Sequence, residues 1–160
     1  KRPSLTPIMP GLKNMYILLD GGANVDCRPD MLRQFAVMGS VYMNKIMGVD
    51  NPKVGLLNVG AEEEKGRELE QETYALLKNS TLNTKIGALF TMKGIKEISK
   101  QMDYRETGGS PLLGTAKPVL KAHGSSDALA FKNAVRQAKD FVERNVIAEM
   151  EKVLSENTED

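Results

Sequence analysis

The sequence is short of several features, and each shortage closes off a class of function. Only one of its 160 residues is cysteine, Cys27. An internal disulfide is therefore excluded, and the chain reads as one for a reducing, intracellular setting. Neither charge dominates: 22 Lys and Arg against 21 Asp and Glu leave a net +1. No general field draws such a chain to nucleic acid. No apolar run approaches the roughly 20 residues that span a bilayer. Lys1–Pro10 lacks the apolar core of a secretion signal. No spacing of His, Cys, Asp and Glu suggests a metal, no turn matches a Walker or dinucleotide fingerprint, and no cofactor is expected. Repeats and low-complexity linkers are missing too. What remains is 41% hydrophobic and 27% charged residues, enough for one compact domain with a core.

Periodicity then orders the chain. Lys1–Lys13, with three prolines and a glycine, reads as loop. Met15–Leu19 reads as a short buried strand ending at Asp20. After the turn Gly21-Gly22-Ala23-Asn24, Pro29 suits a helix first turn. Met31, Phe35, Met38, Tyr42 and Ile46 share one helical face, and Gly48 with Pro52 predicts the stop. Val54–Leu57 reads as a second strand and Arg67–Lys78 as a second helix. That alternation predicts parallel strands with right-handed crossovers. Leu82, Ile86, Leu89 and Phe90, then Ile95, Ile98 and Met102, form an amphipathic helical hairpin bearing Lys85, Lys93, Lys96 and Lys100. Tyr104–Gly114 reads as a glycine-rich loop and Val119–Ala122 as a third strand. A long helix follows, with Ala128, Phe131, Val135, Ala138 and Val142 as its buried face. Glu149–Asp160 reads as a fraying acidic tail.

Three strand ends run into polar, glycine-containing turns: Asp20–Asn24, Asn58–Glu62 and His123–Ser126. In a parallel sheet such turns gather at the carboxyl edge, where ligands bind. Glycine lets backbone N–H groups approach a ligand, and a helix start suits an anion such as phosphate. Ser125 or Ser126 would cap the last helix or bind the ligand. The plain alternative is a set of tight turns with no ligand. His123, the only histidine, is structural on one reading and a donor to phosphate or to an oxyanion on the other. Cys27 has no basic neighbour to activate it and reads as an inert thiol. The hairpin either packs on its own domain or a dimer partner, or touches anionic lipid or an acidic carrier protein.

Taken in order, the motifs resemble those of the PlsX phosphate acyltransferase family. They are Arg2-Pro3, Leu18–Asn24, Gln34–Ser40, Asn51–Gly60, Glu62-Glu63 with Lys65-Gly66, Gly108–Gly114 and Lys121–Asp127. The match covers nearly the whole chain. The resemblance implies an α/β fold, a three-layer sandwich with a largely parallel sheet. That fold is related to phosphotransacetylases and to isocitrate and isopropylmalate dehydrogenases, and here carries a protruding helical hairpin. It also implies a homodimer without metal or cofactor, in the cytoplasm and peripherally associated with the anionic membrane surface. The implied reaction converts acyl-[acyl carrier protein] and inorganic phosphate to acyl phosphate and free carrier protein, for phospholipid synthesis. Members of the family are longer at the N-terminus. They also carry a further segment between the helix ending near Lys78 and the hairpin beginning near Thr84, so residues 1–160 are expected to form part of one such domain, with a segment missing near 79–83.

On that resemblance, phosphate attacks the thioester directly. Asn24 is expected to contact phosphate, with His123 and Lys65 stabilising charge. Gly22, Ala23, Asn58, Gly60, Gly124, Ser125 and Ser126 are expected to bind substrate. The hairpin's Ile86, Leu89, Phe90, Lys93, Lys96 and Lys100 are expected to meet membrane or carrier protein. The rival from another class is a noncatalytic scaffold for carrier protein or membrane, which a bound phosphate at Gly124–Ser126 would argue against. A dehydrogenase of the related fold lacks its glycine fingerprint here.

Overall fold

The computed structural model describes residues 2–11, 14–58, 66–78 and 107–156. The calls on Gly60, Lys65 and the hairpin of residues 82–103 lie outside these. Among the described residues, five strands and four helices follow in order: β1 Ser4–Leu5, β2 Ile8–Pro10, β3 Met15–Ile17, α1 Pro29–Lys45, α2 Glu68–Lys78, β4 Ser110–Leu113, β5 Leu120–Lys121, α3 Ala128–Glu143 and α4 Val146–Glu156.

Helix α1 is the centre of the described core. Pro29 at its first position and Asp30 in its first turn suit the N-terminus. Met31, Phe35, Met38 and Tyr42 are buried as the periodicity predicts, and Val37 and Val41 widen the face. Each large side chain so buried is worth roughly 1.5–3 kcal/mol. Gly48 ends the helix with φ +69°, and the N–H groups of Gly48 and Val49 close on the carbonyls of Asn44 and Met43. Gly39 lets α1 approach β3: a Cβ there would lie 2.8 Å from a Leu19 methyl carbon.

The described strands do not themselves show the expected parallel topology. Every ladder among the described residues is antiparallel. β1 pairs with β4 (Ser4 opposite Leu113), β4 with β5 (Ser110 opposite Lys121), and β2 with β3 (Ile8 opposite Ile17). The N-terminal loop call thus gives way to two strands, and the 104–114 loop call to one. Val54–Leu57 joins no ladder among the described residues. Its burial still alternates as in a strand: Pro52, Val54, Leu56 and Asn58 are half-buried, and Lys53, Gly55 and Leu57 exposed. Apolar alternation supplies the extended conformation, but a strand also needs a neighbour to take its backbone groups.

The last two helices carry two further corrections. The buried face of α3 is Ala130, Asn133, Ala134, Gln137 and Phe141. Phe131, Val135 and Val142, expected inside, are 62%, 55% and 64% exposed. Close packing chooses the face. Gly108, at φ +86°, lies so near α3 that a Cβ would stand 2.5 Å from the Asn133 carbonyl carbon. Gln137 Nε2 donates to the carbonyls of Thr107 and Gly109. Small and amide side chains fit that contact, and the bulky ones point away. The expected acidic tail is mostly helix α4, which buries Val146, Met150 and Leu154 in the α1 core. Asn145, at φ 50°, makes the turn into it. Arg144 Nη1 reaches the carbonyls of Lys45 and Ile46 at 2.8 and 3.0 Å, locking the end of α1 to this corner.

Candidate functional site

The first turn is built around the Asp20 carboxylate. Asp20 has φ 59°, a left-handed conformation that aspartate tolerates better than most residues. Its N–H donates to Ser4 Oγ at 2.9 Å, and the Gly21 N–H donates to the Leu5 carbonyl at 2.7 Å. Oδ1 accepts from Asn24 Nδ2 at 2.9 Å, and Oδ2 accepts from the Cys27 thiol at 3.1 Å. Asn24 Nδ2 donates its other hydrogen to the Pro3 carbonyl at 2.9 Å. Both amide hydrogens of Asn24 are thereby committed. Its remaining atom, Oδ1, is an acceptor and does not suit an anion. Asn24 builds the turn, while Gly22 and Ala23 are exposed, and a Cβ at Gly22 would meet nothing within 4 Å. The Cys27 thiol is pushed up to about 11, first by burial and then by the neighbouring Asp20 carboxylate.

Beside this turn lies a groove of about 390 Å³. Leu19, Asp20, Asn24 and Cys27 form one end. Phe35 and Gly39 of α1, Val54–Leu57, and Leu69 and Leu77 of α2 form its walls. A shallower hollow is lined by Leu57, Asn58, Gly66, Arg67 and Glu70. Leu57 and Glu70 line both, so the hollow beside Asn58 shares a wall with the groove beside the first turn. Gly66, at φ +102°, sits against Asn58: a Cβ would lie 2.5 Å from its Oδ1. Glu70 Oε2 accepts from the Arg67 N–H and Oε1 from its guanidinium, both at 2.8 Å. That guanidinium holds the Glu70 carboxyl below its ordinary range.

The third turn follows β5. Asp127, rather than either serine, caps α3: its Oδ1 accepts from the Ala130 N–H at 2.9 Å. His123 Nδ1 lies 2.7 Å from Ser125 Oγ and accepts from the Ser125 backbone N–H at 3.3 Å. A backbone N–H can only donate, so Nδ1 carries the lone pair, the hydroxyl is the donor, and the ring proton sits on Nε2. The Ser126 Oγ is buried with no partner among the described residues. Gly124 has open space where a Cβ would be. None of residues 123–126 lines either groove. The structure therefore joins Asn24 to Asn58 through shared walls, and His123 to Ser125 through a hydrogen bond.

The partners gathered around Asp20 and the Arg67–Glu70 pair escaped the sequence reading. A polar residue ending a strand hints at the first. Arg and Glu three apart at a helix start hint at the second.

A profile of the fatty acid synthesis protein family matches residues 1–83 and 79–149. The chain belongs to this family. Membership agrees with the resemblance drawn from its motifs. Among curated relatives, the phosphate acyltransferase of Thermoanaerobacterium thermosaccharolyticum is 42% identical over 203 residues, covering 94% of this chain and 61% of that protein. That of Caldanaerobacter subterraneus subsp. tengcongensis is 40% identical, covering 92% of this chain and 60% of that protein. That of Clostridium perfringens is 36% identical, covering all of this chain and 63% of that protein. The chain thus spans about three-fifths of the length of these family members. The alignment with the first runs longer than the chain itself, so that relative carries residues this chain lacks. No helix among the described residues is long and apolar enough to cross a membrane.

Proposed function

We propose that this chain is an acyltransferase subunit that passes a fatty acyl group from acyl-[acyl carrier protein] to inorganic phosphate. The observation that carries the reading is membership of the fatty acid synthesis family, together with the phosphate acyltransferase name of its relatives. The third turn supports it chemically. Phosphate needs donors held in place, and the start of α3, whose Ala130 N–H is taken by Asp127, leaves other first-turn backbone N–H groups beside the exposed Gly124.

The wider expectations belong to the same reading. A three-layer, largely parallel sandwich would form once Val54–Leu57 gains neighbours; its alternating burial supports this. The family match falls in two stretches meeting near 79–83, which supports a missing segment there. Homodimer formation is supported by the exposed Phe131, Val135 and Val142 on α3, which recur at spacings of four and seven and so share one stripe of the helix. Cytoplasmic location and peripheral association with an anionic membrane would place Ile86, Leu89, Phe90, Lys93, Lys96 and Lys100 at the lipid or carrier protein.

The noncatalytic scaffold reading is favoured by one observation: the third turn lines neither described groove. The two readings part in a phosphate titration followed by NMR. Saturable shifts at Gly124–Ser126 support the transferase, and unchanged resonances there support the scaffold.

A further inference from the structure

We infer that Ser125 is a nucleophile with His123 Nδ1 as its base, so that the acyl group passes through a serine ester. The inference rests on the proposed transferase reading for its thioester, but its geometry stands apart from that reading. An activated nucleophile is recognised by a hydroxyl within hydrogen-bond reach of a base whose orientation is fixed. Here the Oγ to Nδ1 distance is 2.7 Å. The backbone N–H of the same serine, 3.3 Å from Nδ1, keeps that nitrogen an acceptor. The hydroxyl proton is therefore already directed at the atom that would remove it.

Three comparisons within the chain single out Ser125. Other hydroxyls with assigned partners, such as Ser40 and Ser155, donate to backbone carbonyls, which cannot act as bases at neutral pH. Ser126, one position nearer α3, has its Oγ buried, whereas Ser125 and His123 are exposed to an incoming substrate. Nor does α3 need Ser125 as a cap, because Asp127 fills that role.

In the first step Oγ bonds to the acyl carbon and the C–S bond breaks. The hydroxyl proton moves to Nδ1 and then to the departing sulfur, releasing the carrier thiol. In the second step a phosphate oxygen bonds to the acyl carbon and the C–Oγ bond breaks. The proton of that phosphate returns through Nδ1 to Oγ. Thioester and phosphate become acyl phosphate and thiol, with Ser125 restored. This route replaces the direct attack expected from the sequence.

The test uses this chain and p-nitrophenyl butyrate, with release of nitrophenolate followed in time and the butyryl group located by peptide mass mapping. The expected result is one butyryl group on Ser125, none in Ser125→Ala, and acylation slowed by about 10²- to 10⁴-fold in His123→Gln. Both side chains are exposed, so both variants should keep the wild-type urea midpoint. A label that avoids Ser125, or that forms as fast in His123→Gln as in wild type, overturns the inference. A second arm adds phosphate and carrier-protein thioester. Wild-type acyl phosphate formation by Ser125→Ala overturns the serine ester and leaves the transferase reading intact. A butyryl-Ser125 that phosphate fails to discharge as butyryl phosphate supports the nucleophile and contradicts the transferase reading.

Discussion

Replacing Asn24 by alanine removes two donors from the first turn, and the structure sets the size of the effect. One of its hydrogen bonds goes to the neutral Pro3 carbonyl and the other to the ionised Asp20 carboxylate, each at 2.9 Å. A neutral bond contributes about 0.5–1.5 kcal/mol and a charge-assisted one about 1.5–3 kcal/mol. The variant should therefore lose roughly 2–4 kcal/mol. With a mid-range urea slope of about 2 kcal/mol per molar, the midpoint falls by about 1–2 M. Asn24→Asp should cost more, because it sets a second carboxylate beside Asp20 in place of a donor. Urea melts of both variants measure this. A loss under about 0.5 kcal/mol for Asn24→Ala, with normal folding and selectively weakened phosphate binding, would refute the structural role and return Asn24 to the ligand.

Three further outcomes follow from the core and the surface. Tyr42 is fully buried, its hydroxyl has no partner among the described residues, and its ring packs on Phe141 with centroids 5.6 Å apart. Tyr42→Phe should leave stability unchanged or raise it by up to about 1 kcal/mol, and a loss above that in thermal unfolding would reveal a hydroxyl partner. Cys27, pushed up to about 11, should react with iodoacetamide at pH 8 about 100-fold more slowly than a thiol of pKa about 9, and should speed up towards pH 11. The same shift favours the protonated thiol in the fold, so its stabilising effect is lost as pH climbs through about 11. Gly108→Ala should destabilise by about 3 kcal/mol or more, because its φ of +86° and the α3 backbone both exclude a Cβ. A near-native melting temperature would show that β4 and α3 can separate cheaply.

Local signals in the sequence placed α1 and α2 well, because a helix satisfies its own backbone and needs only one apolar face. Pro29 and Gly48 marked the ends of α1 to within a few residues. Strands were harder to read. Ser4–Leu5 and Ile8–Pro10 are too short for periodicity, and their pairing depends on partners far along the chain. Val54–Leu57 carries a strand pattern without a described partner. In α3 the bulky stripe drew attention away from the small-residue face that β5 and Gly108 require. At the site, glycine and polar residues located the first and third turns, yet the direction of each hydrogen bond was invisible. Nothing in the letters says that Asn24 spends both hydrogens on Pro3 and Asp20, or that Ser125 donates to His123.

The central claim is acyl transfer to phosphate, and a thiol-release assay addresses it most directly. Long-chain acyl-[acyl carrier protein] is mixed with this chain, and in parallel with a protein of the relatives' full length, with and without inorganic phosphate. The account predicts phosphate-dependent appearance of the carrier thiol with an equal amount of acyl phosphate. Thiol release that ignores phosphate, or none from either protein, would contradict it.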